Sequence, residues 1–349
     1  MGRGPGLSFN FEPTAIGSVP FKTAKTACAL IFDTFKEIPF WPQLPRRSFL
    51  ENMYTQYSER LPGLVTDDKE KTIHIDTSRA ASEIEEVYQK YLEGDVEYFR
   101  ISEGYAEGFY AFLDAFPGAS KTARFVKGHT TGPVSFGLTL TDEKKRSVIY
   151  DKELFEVLTK TLCMKVRWQI RKLKARSSGV IIFIDEPYLV SIGSSYVNID
   201  VGAAFEKLGE LISAIKEEGA IAGMHCCGNT DWPLLLKSGI DVLNFDAYNF
   251  TKEFSLYGPD ISEFSKKPGG IAWGIVPSSD DIDREDAKSL ARRLKQALRG
   301  LDEKGVKAGS IPSVITPSCG VGSLDEDRAR RVLEMTLETS LRFKEEKHG

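Results

Sequence analysis

The chain has 349 residues, 41% of them hydrophobic, and a formal net charge of -4 with acidic and basic residues intermixed. That balance describes a globular protein of one large domain or two small ones. No basic stripe marks a nucleic-acid partner, no apolar run reaches the ~18 residues of a membrane helix, and Met1-Gly2-Arg3-Gly4-Pro5 lacks the apolar core of a secretion signal.

Eight short β-rich runs follow one another, each ending in loop chemistry: 15–19, 96–101, 123–127, 180–184, 220–224, 242–245, 270–275 and 310–315. Helix-rich stretches separate most of them, among them 154–175, 203–216 and 286–303, and a last one covers 325–344. Strands alternating with helices imply parallel pairing through right-handed crossovers. Eight such units predict an α/β fold of the (β/α)8 TIM-barrel type, with an open doubly wound sheet as the alternative. No glycine-rich nucleotide fingerprint follows any run. Between the first and second runs, about residues 22–95, lies an insertion too long for a minimal barrel. It contains Phe40-Trp41-Pro42-Gln43-Leu44-Pro45, read as a structural lid, with docking through an exposed Trp41 as the second reading. No linker or repeat divides the chain, so one domain over 1–349 is predicted.

The apolar run Ala220-Ile221-Ala222-Gly223-Met224 leads into His225-Cys226-Cys227-Gly228. On a strand, residues two apart share a face, so His225 and Cys227 point one way and Cys226 the other. An imidazole and a thiolate on one face, with Cys319 as a distant third soft ligand, make the donor set of a tetrahedral zinc site. Three protein ligands leave the fourth position open, as catalytic sites do. The five cysteines (Cys28, Cys163, Cys226, Cys227 and Cys319) are an odd number with no secretion signal. They fit a reducing, cytoplasmic setting better than disulfides.

Barrel enzymes gather reactive groups at the C-terminal ends of their strands. Asp185-Glu186-Pro187 ends the fourth run, His225 and Cys227 the fifth and Asp246 the sixth, while Cys319 follows the eighth. Each has a plainer reading. Cys319 could be a small buried hydrophobe, His225 a hydrogen-bonded core residue, and Asp185-Glu186-Pro187 a strand-end turn. Their convergence on one rim favours chemistry on a thiol.

Five segments, in this order, resemble the catalytic half of cobalamin-independent methionine synthase. They are Ile16-Gly17-Ser18-Val19-Pro20, Lys127-Gly128-His129-Thr130-Thr131-Gly132-Pro133-Val134, Ile184-Asp185-Glu186-Pro187, His225-Cys226-Cys227 and Pro317-Ser318-Cys319-Gly320. The superfamily also holds uroporphyrinogen decarboxylase and the methylcobamide:thiol methyltransferases. The resemblance runs nearly end to end and implies a zinc enzyme that methylates homocysteine to methionine. It implies that His225, Cys227 and Cys319 hold the metal, and that Asp246 stands where the family's acidic fourth ligand, usually Glu, is found. It also implies that Ser18, Glu103 and Asp185 hold the amino-acid part of homocysteine, with Asp185 paired to the ammonium. Asp185 and Asp246 are on this basis the expected catalytic residues.

Two departures bear on the methyl donor. Nothing here corresponds to the synthase's second barrel, which helps bind a polyglutamylated methylfolate. The family's histidine after the seventh strand, which protonates the leaving folate nitrogen, is missing from Gly274-Ile275-Val276-Pro277-Ser278-Ser279-Asp280-Asp281, and the remaining histidines are His74, His129 and His348. A methyl-corrinoid needs no such proton. The expected donor is therefore a methyl-corrinoid, free or carried on a corrinoid protein. Three further readings stay open: transfer to another small thiol such as coenzyme M, a uroporphyrinogen decarboxylase-like enzyme, and a zinc-binding protein without turnover.

Overall fold

The computed structural model describes residues 8–116, 123–192, 198–267 and 269–348. Among them are ten strands: β1 (Asn10–Pro13), β2 (Leu64–Asp67), β3 (Thr72–Ile75), β4 (Val126–Thr131), β5 (Thr141–Asp142), β6 (Val180–Asp185), β7 (Ile221–Cys226), β8 (Val242–Phe245), β9 (Gly270–Val276) and β10 (Ser313–Pro317). Seven form one parallel sheet in the order β1-β10-β9-β8-β7-β6-β4, curled and surrounded by helices, while β2, β3 and β5 make a small separate sheet. The long helices Lys152–Lys174, Val201–Glu217, Ala287–Asp302 and Glu326–His348 lie close to the predicted stretches. Three of them begin at an aspartate, Asp151, Asp200 or Asp286, whose side chain accepts first-turn N–H groups. No helix among the described residues is long and apolar enough to cross a membrane.

Alternation of period two divides each central strand between two environments. Ile182 and Ile184 of β6, Ala222, Met224 and Cys226 of β7, and Leu243 and Phe245 of β8 join the large core beneath the helices. Ile181, Phe183, Ile221 and Val242 point the other way, into a smaller cluster with Phe9, Ile38, Phe125, Ala272 and Val314. That cluster fills the inner face near the N-terminal ends of the strands. One further step of the same alternation brings Asp185, His225 and Asn244 inward, and the register sets Asp185 beside His225 and His225 beside Asn244. The inner face is thus apolar at one end and reactive at the other.

Two predicted strands fall elsewhere. The first strand is Asn10–Pro13, and residues 15–19 lie beyond it, with Ser18 making a single bridge to Gln43. Gly17 there has a φ of +150. Residues 96–101 form turns rather than a strand. Their β-forming side chains serve packing instead: Phe99 joins Val87, Val157 and Met164, and Ile101 joins the main core.

Residues 37–43 run between β4 and the stretch that follows β1. On one side, Phe125 N and Lys127 N donate to the carbonyls of Glu37 and Pro39, and Trp41 N donates to Lys127 O. On the other side, Gln43 N donates to Gly17 O and Val19 N to Gln43 O. Pro39 and Pro42 remove two donors and keep the segment irregular. This segment interrupts the insertion expected over 22–95, and Trp41 within it is fully buried rather than exposed. The Trp41 indole N–H donates to Gln169 Oε1 at 2.9 Å, and its ring stacks on His129 at 3.9 Å.

Candidate metal centre

His225 is the penultimate residue of β7 on the inner face, Cys227 lies two residues on, and Cys319 follows β10. Strands β7 and β10 are separated in the sheet by β8 and β9, so the curl of the sheet brings these residues together. The ligand atoms of His225, Cys227 and Cys319 all lie within 4.8 Å of one another, so the cluster could hold a metal ion.

Asn244 settles which imidazole nitrogen is offered. Its amide nitrogen donates to Ala272 O at 2.9 Å and Thr316 Oγ1 at 2.8 Å. Its Oδ1 is therefore the atom turned to His225 Nδ1, at 2.5 Å. Nδ1 carries the proton, and Nε2 keeps its lone pair. That Nε2 is buried without a protein partner, and an unpaired buried acceptor is what a metal would satisfy. One nitrogen and two sulfurs form a soft donor set of the kind zinc takes.

The two thiols are driven in opposite directions. The hydrogen bond with Cys319, and then the neighbouring His225 ring, hold Cys227 down at about 4. The same bond, together with burial, pushes Cys319 well above the ordinary thiol range. Cys226, on the opposite face of the strand, is buried and pushed up to about 12 by desolvation.

A cavity of about 390 Å³ opens beside the cluster, and Ser18, Asp185, His225, Cys227 and Cys319 all line it. Burial raises Asp185 to about 6, opposed by the neighbouring His225 ring and the Lys127 ammonium, and its Oδ1 has no partner. The backbone behind Ser18 is held from below. Lys127, fully buried, donates from Nζ to Ile16 O at 2.5 Å and lies over the Phe183 ring at 4.4 Å. A Cβ on Gly17 would lie 2.6 Å from His129 Nδ1, so only glycine lets the chain pass over that ring at this φ.

Two anticipated residues are placed differently. Glu103 is exposed in the turn over 102–105 and does not line the cavity. Asp246 is the N-cap of helix Ala247–Phe254. Its Oδ1 accepts from Asn249 N at 2.9 Å and its Oδ2 from Asn249 Nδ2 at 2.7 Å. Both oxygens are therefore engaged, and Asp246 does not belong to the cluster of His225, Cys227 and Cys319. Asn244, Lys127 and Gln43 had no assigned role. A polar side chain inside the run Val242-Leu243-Asn244-Phe245, and a lysine inside a strand buried throughout, were the signals that could have pointed to the first two.

No family model and no curated protein matches the chain. Among solved structures, the carboxyl transferase domain of Rhizobium etli pyruvate carboxylase, with 3-hydroxypyruvate, is similar at 12% identity and a TM-score of 0.25. The match covers 62% of this chain and 41% of that one. The chain thus spans less than half of that chain's length, and a likeness this slight assigns neither fold nor activity.

Proposed function

We propose that the protein is a zinc-dependent methyltransferase acting on a thiol. The acceptor is homocysteine, the product methionine, and the donor a methyl-corrinoid, free or on a corrinoid protein. The observation that carries this reading is the meeting of a His225 ring nitrogen with the sulfurs of Cys227 and Cys319 within 4.8 Å, at the edge of a cavity that Ser18 and Asp185 also line.

His225, Cys227 and Cys319 would hold the metal. When bound, zinc would keep an acceptor thiol, which titrates near ~8.5 when free, deprotonated and fixed at neutral pH. Asp185, whose Oδ1 lacks a partner, would take the ammonium, and the Ser18 hydroxyl can donate to the carboxylate. Asp246 would support the rim as a helix cap. The loop after β9 offers no histidine to protonate a departing folate amine. Its Ser278 instead bonds the Ser318 hydroxyl, through N–H at 3.0 Å and Oγ at 2.9 Å.

On this reading the chain folds as a (β/α)8 barrel of the cobalamin-independent methionine synthase family and works in the cytoplasm. Residues 37–43 would then form its irregular eighth stave.

The test joins metal analysis to a methyl-transfer assay. About one zinc per chain is expected, with turnover of homocysteine by methylcobalamin and little by methyltetrahydrofolate. His225→Ala should lose both metal and turnover. Robust turnover with the folate would overturn the donor, and a fully metallated, fully active His225→Ala would overturn the site.

A further inference from the structure

We propose that Gln43 reads the ammonium group of the acceptor, so that the cavity selects an α-amino thiol over a thiol with no N–H donor. This rests on the homocysteine reading above and adds a specificity-determining residue to it.

Gln43 sits directly across from Ser18. Its N–H donates to Gly17 O and its carbonyl accepts from Val19 N, both at 3.0 Å, which is the pattern of two parallel neighbours in register. Neighbours in register carry their side chains on one face, and both residues line the cavity that holds His225, Cys227 and Cys319.

Gln43 is 4% exposed, so its amide groups need partners. Its Nε2 donates to Gln56 Oε1 at 2.8 Å, and Gln56 Nε2 donates in turn to the Tyr105 carbonyl at 2.8 Å. A backbone carbonyl can only accept, so Tyr105 fixes the orientation of the Gln56 amide. Gln56 then fixes that of Gln43. The relay ends on the Gln43 side-chain oxygen, which no donor among the described residues reaches.

An oxygen held this way can accept a hydrogen bond and cannot give one. It complements an ammonium and offers nothing to a sulfonate or carboxylate. Beside it the Ser18 hydroxyl is free to donate, so the paired side chains can divide an amino acid's two charged groups between them. A thiol without an amine would leave the Gln43 oxygen desolvated and unpaired, and sites of that kind reject the deficient analogue.

The experiment compares calorimetric binding of L-homocysteine and its des-amino analogue, 4-mercaptobutanoate, to the zinc-loaded full chain. The proteins are wild type, Gln43→Met and Gln43→Glu. Wild type should prefer homocysteine. Gln43→Met should bind homocysteine about tenfold more weakly or worse while holding 4-mercaptobutanoate within about twofold, because only the amine loses its acceptor. Gln43→Glu keeps an acceptor oxygen and should keep the preference. Should Gln43→Met fail to fold, Gln56→Leu replaces it. That change frees the Gln43 amide to turn and should cut the preference several-fold.

Equal weakening of both thiols by Gln43→Met would make the residue a mere brace for the backbone at Ser18, and an undiminished preference would remove it from recognition; either overturns the proposal. Wild type binding both thiols equally would also overturn it while leaving thiol methylation standing. Wild type binding neither would overturn the parent reading and this one together.

Discussion

Asn244 spends its amide nitrogen on the Ala272 carbonyl and the Thr316 hydroxyl, and that commitment decides which nitrogen of His225 faces the sulfurs. Replacing it with leucine keeps the volume and removes the acceptor. Zinc affinity of Asn244→Leu, read by competition with a chelator, should fall about 10–100-fold, the usual effect of losing such an outer partner. An unchanged affinity would mean the ring needs no brace. At Asp185 the consequence is one of pH. Burial lifts its carboxyl to about 6, so the anion that would meet an ammonium is lost as pH falls through that value. Homocysteine affinity should drop with it. Asp185→Asn should weaken binding at neutral pH and flatten this part of the profile; a wild-type affinity indifferent to pH across that window would remove Asp185 from ammonium binding. For folding the sign is opposite. A folded-state value above the unfolded one of ~3.9 makes the buried anion a cost, fully felt above about pH 6 and relieved as the group protonates below it.

Between residue and fold stands the element that follows Asp185. Glu186 is fully buried, and its carboxylate takes three hydrogen bonds at the start of helix Pro133–Thr139: from Val134 N at 2.9 Å, Ser135 N at 2.8 Å and Ser135 Oγ at 2.5 Å. Its own N–H donates to the His225 carbonyl at 2.9 Å. Gly132 makes this possible, because a Cβ there would lie 2.0 Å from Glu186 Oε1. Gly132→Ala should therefore destabilise the fold by about 2 kcal/mol or more, as overpacking a closed site does, and should lower zinc affinity through His225. Chemical denaturation and chelator competition would show it, and wild-type values in both would remove Glu186 as a link. The same elements show what the chain discloses in advance. Period-two alternation put His225 and Cys227 on one face, and strand-end position marked Asp185 and Cys319. Glu103 was assigned through the family pattern, and Asp246 through its strand-end place as well as that pattern; the structure puts the first on the surface and makes the second a helix cap. Residues 102–105 turn on the surface, and an aspartate one residue ahead of a helix bonds that helix's first turn before it can reach outward. Residues 96–101 have strand-forming side chains, yet packing against the long helix claims them, a tertiary choice invisible to local propensity.

At the scale of the molecule, the order of parallel strands and crossover helices was legible, while the contents of the gap between β1 and β4 were not. Two prolines disguise residues 37–43 as a loop, and their pairing partners lie on two distant stretches of chain. That segment has a double employment. It bonds to β4 through Lys127 and to the stretch beyond β1 through Gly17 and Val19, and through Gln43 it also forms part of the cavity wall. A ligand that grips this wall grips the seam itself. Occupancy should then be sensed as mechanical tightening, with the amide protons of Val19, Trp41 and Gln43 trading more slowly with solvent, and any slackening of the seam should be paid in lost affinity.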